Sequence, residues 1–195
     1  MDLNTIPIEV LFESHPFSSL AVYQYIPKDM LPSVKKNGLL SLYGLYKLEM
    51  KDQFRTAAEK YLGRQKKKLN IDDVVEDPTE FFKLYQQLNG KDAHKAIWFS
   101  MKPITPGISK NRDAYAKRKH LFKLPVSKLK KDWTYYGVEF PGMGYDWKRI
   151  SYDQMIDALQ NMDMEKTERE NNHPKLLFKG IPHLAICPPE GIIKI

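Results

Sequence analysis

Alternating and helically spaced apolar residues take turns along this chain, and the points where one pattern gives way to the other mark its elements. Val22-Tyr23-Gln24-Tyr25-Ile26 reads as a short strand, β-branched and aromatic with one polar break, ended by Pro27. Asp29 then caps a short helix in which Met30, Leu31 and Val34 fall at helical spacing, and Gly38 stands where a terminal glycine stops it. Leu39-Leu40-Ser41 leaves in extended form. Upstream, Ile8 to Phe12 reads as another strand. Downstream, Leu45, Leu48, Ala57, Ala58, Tyr61 and Leu62 between charged residues predict one helix from Tyr43 to Leu62, closed by Gly63. The run from Arg64 to Asn70 reads as an exposed basic turn. Asp77-Pro78 opens a helix to Leu88 that gathers Phe81, Phe82, Leu84, Tyr85 and Leu88 largely on one side, with Asn89-Gly90 ending it.

The second half is richer in strands. Ala96 to Ser100, Leu121 to Val126 and Thr134 to Phe140 each carry the short aromatic or β-branched runs of a strand. In the third, Tyr135, Gly137 and Glu139 share one face, and Tyr136, Val138 and Phe140 the other. Between the first two, Lys102 to His120 is punctuated by proline and glycine and then strongly basic: either a loop that covers a pocket or grips a substrate backbone, with Tyr115 interleaved for base stacking, or an exposed loop leading into a cationic helix. Ser151 with Gln154 three residues on is a capping box that opens a helix from Tyr152 to Met162. Residues 163–172 are polar throughout. Leu176-Leu177-Phe178 and the run to Ile186 give two last short strands around Gly180-Ile181-Pro182. No repeat or low-complexity tract interrupts this order, which predicts one α+β domain over residues 1–195 with a helical insertion at about 45–92.

Composition narrows the class. A hydrophobic content of 42% and an aromatic content of 12% support a packed core, and 28% charged residues a solvated surface. No apolar run is long enough to span a bilayer, and the first residues lack the basic start and apolar block of a signal peptide. Cys187 is the single cysteine, so neither an internal disulfide nor a cysteine-based metal site is expected, and the reading is a cytoplasmic protein. The net charge of +7 favours phosphate polyanions as partners. The excess sits in Arg64 to Lys68, Lys110 to Lys119 and Lys128 to Lys131, whose ordinary role is a solvated face or turn. No phosphate-cradling glycine loop, HExxH or GxSxG occurs. His120 and His183 are lone histidines with no second ligand at metal spacing, and Cys187, between Ile186 and Pro188, reads as a small buried hydrophobe.

Three segments carry a family likeness. Tyr23-Gln24-Tyr25, then Met30 to Val34 and Asn37 to Ser41, resemble the first motif of the ADP-ribosyltransferase superfamily, in the branch that includes DNA- and RNA-modifying toxins. Gln24 stands where that family often has histidine, and Ile26 where it often has threonine. Ile97-Trp98-Phe99-Ser100 resembles the second motif, an aromatic strand walling the nicotinamide pocket. A flat apolar ring needs aromatic surface and a small residue that admits it, although a core strand with two aromatics is as ordinary a reading. The closing strands resemble the last motif in spacing, with Lys175 at the place of the family's glutamate.

The resemblance implies a split, mostly antiparallel sheet with NAD as co-substrate. It implies that Tyr23, Gln24 and Tyr25 cradle NAD, and that Trp98, Phe99 and Ser100 line the nicotinamide side. Lys110, Arg112, Lys117 and Arg118 would grip a nucleic-acid backbone, and an antitoxin or inhibitory protein would restrain a toxin or phage-defence activity. Cleaving the glycosidic bond of NAD builds positive charge on the ribose, which carboxylates stabilise. Lysine at position 175 opposes that charge, so the alignment is displaced, the activity is lost, or the site is a disabled one. Glu139 is a substitute carboxylate whose ordinary reading is a solvent-facing strand residue. The competing class is a non-catalytic basic module that binds nucleic acid or a protein.

Overall fold

The computed structural model describes residues 20–65, 68–101, 119–139, 146–161 and 183–195. Among them the fold is α+β. Strands β1 (Ala21–Pro27), β3 (Ile97–Ser100), β4 (Lys119–Pro125), β5 (Thr134–Glu139), β6 (Asp146–Ile150) and β7 (His183–Cys187) form a six-stranded sheet in the order β4-β1-β3-β7-β5-β6. Every pairing in it is antiparallel. A second, two-stranded ladder joins β2 (Leu39–Leu40) to β8 (Ile192–Ile193). The expected strands at Ile8–Phe12 and Leu176–Phe178 lie outside the described residues.

Strand alternation gives the large sheet two faces of different character. One presents Val22, Ile26, Ile97, Phe99, Leu124, Tyr135, Ile150, Leu184 and Ile186 to the main core. Helix α1 (Leu31–Asn37) contributes Val34 to that core. Helix α6 (Tyr152–Asn161) adds Met155, Ile156, Ala158 and Leu159. Its capping box forms as the sequence predicts: Gln154 N donates to Ser151 Oγ at 3.1 Å and Ser151 N to Gln154 Oε1 at 2.9 Å. The opposite face buries Tyr136, Val138, Ala185 and Cys187 beneath the Gly90–Ala96 stretch, with Trp98 and Trp147 packed alongside. Tyr136 seals this junction by donating its hydroxyl proton to Lys91 O.

Between β2 and β3 the chain makes four helices: α2 (Leu42–Lys47), α3 (Lys51–Gln65), α4 (Ile71–Glu76) and α5 (Thr79–Asn89). They hold an aromatic core of their own, built on Phe54, Phe81, Phe82 and Tyr85. Tyr61 stacks on Tyr85 at 4.2 Å and accepts a hydrogen bond from Asn89 Nδ2 at 2.8 Å. Such ring pairs add to area burial and select one packing.

Several sequence expectations are corrected here. The single helix over 43–62 is two helices, because Glu49 adopts a left-handed φ of 54° between them. That corner brings Tyr46 to 5.9 Å from Phe54, so aromatic packing outweighs the helix propensity of the linker. Gly63 does not stop the helix, which runs on to Gln65. Of the expected basic turn, Arg64 and Gln65 still belong to α3, residues 68–70 lie in no element, and Asn70 opens an unexpected helix, α4, its Oδ1 accepting from Asp72 N at 3.1 Å. Asp29 makes no cap; it sits inside a 3-10 turn, Lys28–Met30, that leads into α1. β4 starts at Lys119, so Lys119 and His120 belong to a strand rather than to a basic loop.

The exit from α1 is clasped by the end of the chain. Ser41 N donates to Gly191 O at 2.9 Å, and Ser41 Oγ caps α2 by accepting from Gly44 N at 3.0 Å. The backbones approach so closely that a Cβ at Gly38 would stand 2.4 Å from Ile193 O, and one at Gly191 2.2 Å from Ser41 Oγ. Both positions also have positive φ, +86° and +65°, so glycine answers two requirements at each.

Candidate functional site

The pairing of β1 with β3 sets Tyr23 directly opposite Ser100. Beyond Ser100 lies His183 on β7, and on the other flank Tyr23 faces Lys123 on β4. One cross-strand row therefore runs Lys123, Tyr23, Ser100, His183 across four strands. Three inter-strand spacings give it a length of about 14 Å. The neighbouring row on the same face carries Leu121 and Tyr25, which are paired, and Trp98. Tyr23, Tyr25, Trp98 and Ser100 thus share one face, over which the first and second sequence motifs meet.

Gln24 and Phe99 stand on the other face. Phe99 is 1% exposed in the main core. Gln24 lies between Val22 and Ile26 opposite the core-packed Phe122, and its Oε1 is buried with no hydrogen-bond partner. An unpaired buried amide oxygen costs free energy. The structure therefore divides the six candidate NAD residues four to two. The alternation was readable in the run Tyr-Gln-Tyr; grouping the three as one motif concealed it.

The shared face is built in two parts. Over β7 and β5 it is largely closed: Trp98 meets Trp147 of β6 edge-on at 4.9 Å, and Tyr136 meets Trp147 at 5.5 Å. Cys187 is 3% exposed there, and burial raises its thiol pKa, with Asp92 adding to the rise and Lys95 opposing it. A thiol so held is a packing group, not a nucleophile. Over β4 and β1 the face is more open: Tyr23 and Tyr25 are partly exposed, Leu121 is 40% exposed and Lys123 is exposed. Burial still raises the Tyr23 phenol above its ordinary pKa, so it stays protonated and able to donate.

Among the described residues this face carries Lys119, Lys123 and Arg149 and no aspartate or glutamate. Its strands thus bear cations only, while Asp92 acts on Tyr136 and Cys187 from the stretch that covers them. Glu139 ends β5, its Cα paired with Asp146. Lys175, Lys110, Arg112, Lys117 and Arg118 lie outside the described residues. Leu121 and Lys123 were read only as strand residues and Lys119 only as the end of a basic run, because nothing local announces that β4 pairs with a strand about a hundred positions earlier.

Among the described residues no group of three or more His, Cys, Asp and Glu could hold a metal ion, and no helix is long and apolar enough to cross a membrane. Grooves of about 420 Å³ beside Tyr46 and Phe54, and of about 650 Å³ between Leu129 and Ile156, lie away from the motif residues. No family model, curated protein or solved structure matches the chain.

Proposed function

We propose that the protein is an NAD-dependent ADP-ribosyltransferase-like protein of toxin or defence type, with nucleic acid as the acceptor. The observation that carries the reading is the Tyr23–Ser100 pairing, which gathers Tyr23, Tyr25, Trp98 and Ser100 on one face. Aromatic rings, a small hydroxyl residue and cations beside them match the demands of a ligand that is part flat ring and part phosphate. Tyr23 offers a phenol to ribose hydroxyls, and Ser100 leaves room above the strand for a ring. The carboxylate that transfer requires would come from outside the described residues, where Lys175 stands at the place the family gives to glutamate. NAD is the co-substrate in this reading, and a restraining antitoxin or inhibitor its natural partner.

The second reading, a basic binding module without catalysis, is favoured by the same face, whose described strands bear cations and no acid. Both are tested by incubating the protein with labelled NAD⁺ and a panel of RNA, DNA and protein acceptors, alongside Lys175→Glu. Label on a nucleic acid with either protein supports transfer; label that stays free with both, despite retained nucleic-acid binding, leaves the binding module.

A further inference from the structure

We infer that Lys123 is the phosphate anchor of this face. The inference rests on reading the face as the ligand site and adds the residue that selects a phosphate-bearing ligand over a neutral one. Lys123 is directly opposite Tyr23 in the β1–β4 ladder, so the two side chains leave the same face of adjacent strands. β4 is the outer strand of the described sheet, and Lys123 is exposed upon it. Among the described residues no carboxylate lies within ion-pair distance of Lys123, whereas Lys47, Arg55, Lys95 and Lys131 each have one. A lysine whose charge is not already spent internally is available to a ligand anion.

The surroundings choose the anion. The described strands bear no acid on this face, Asp92 acting on it only from the Tyr136 and Cys187 end, and Tyr23 and Ser100 offer hydroxyl donors along the row that starts at Lys123. Partly exposed Tyr25 beside Leu121 offers apolar surface for a ring attached to that phosphate. Two sources share this chemistry: the pyrophosphate of a dinucleotide, and the backbone of a single nucleic-acid strand. A duplex, with its rings stacked inside, could use the charge but not the tyrosines.

The test compares unsubstituted protein with Lys123→Gln, Lys123→Arg and, as a remote control, Lys128→Gln. Binding is measured by calorimetry for NAD⁺ and for nicotinamide riboside, which lacks phosphate, and by anisotropy for a single-stranded oligonucleotide over a salt series. If the pyrophosphate is the source, Lys123→Gln weakens NAD⁺ by about tenfold, leaves the riboside unchanged, and is rescued by arginine. If the strand is the source, the oligonucleotide weakens and its salt slope falls by about 0.7, the share of one phosphate contact. Either result with Lys128→Gln unaffected supports the anchor. Equal affinity of Lys123→Gln and unsubstituted protein for both ligands overturns it, as does an unsubstituted protein that binds neither. Failure of NAD⁺ alone counts against the transferase reading and leaves Lys123 to be decided by the oligonucleotide.

Discussion

Acid should destabilise this protein through His94 in particular. His94 is 7% exposed, lies 4.9 Å from Phe82 and edge-on at 5.3 Å to Tyr43, and its Nδ1 is buried without a hydrogen-bond partner. Burial, then neighbouring Lys95, lowers its pKa to about 4, with Asp92 opposing. In the unfolded chain it titrates near 6.5. Between those values the unfolded chain takes up a proton that the folded protein refuses, so stability falls as pH falls through this window. Above pH about 7.5 His94 contributes almost no pH dependence. Integrating from pH 7.5 to 4.5 gives a loss of about 2.5 kcal/mol from this one side chain. Urea unfolding of unsubstituted protein and His94→Phe at both pH values isolates it, because every other titrating group is common to the two. Phenylalanine keeps the ring contacts and removes the unpaired nitrogen. It should match or exceed the unsubstituted protein at pH 7.5 and lose about 2.5 kcal/mol less on acidification. An identical acid loss in both proteins would refute a neutral, buried His94.

Gly191→Ala should destabilise by about 2–3 kcal/mol in thermal or urea unfolding, through its positive φ and displacement of the Ser41 cap. Ser151→Ala should cost about 1 kcal/mol in the same assay by opening one half of the α6 capping box. Tyr136→Phe should cost about 1 kcal/mol and speed amide exchange in the Gly90–Ala96 stretch, since the Lys91 carbonyl then loses its donor.

What could be read from the sequence was local. Gly38 announced the end of α1, Ser151 and Gln154 announced the start of α6, and Asp77 announced α5, where its Oδ1 accepts from Thr79 N at 3.0 Å. These signals reside in one or two side chains acting on nearby backbone. The break at Glu49 carries no such signal, because it is imposed by packing of Tyr46 against Phe54 and Phe82. Helix α4 was hidden by the basic run before it, although Asn70 was a cap in plain view. For the site, the alternation of Tyr23, Gln24 and Tyr25 contained their separation onto two faces, and the motif likeness pulled them together. The place of Lys123 could not be read at all, since the β1–β4 register is a tertiary choice made between distant segments.

The central claim is that the face carrying Tyr23 and Ser100, and not the face carrying Gln24, receives the nicotinamide dinucleotide. Calorimetric titration of NAD⁺ into unsubstituted protein, Tyr23→Ala and Gln24→Leu tests it most directly. The account predicts saturable binding to the unsubstituted protein, a loss of about tenfold or more in Tyr23→Ala, and unchanged affinity in Gln24→Leu, whose leucine removes only an unpaired buried amide. Binding that survives Tyr23→Ala and fails in Gln24→Leu, or no binding to the unsubstituted protein, would contradict it.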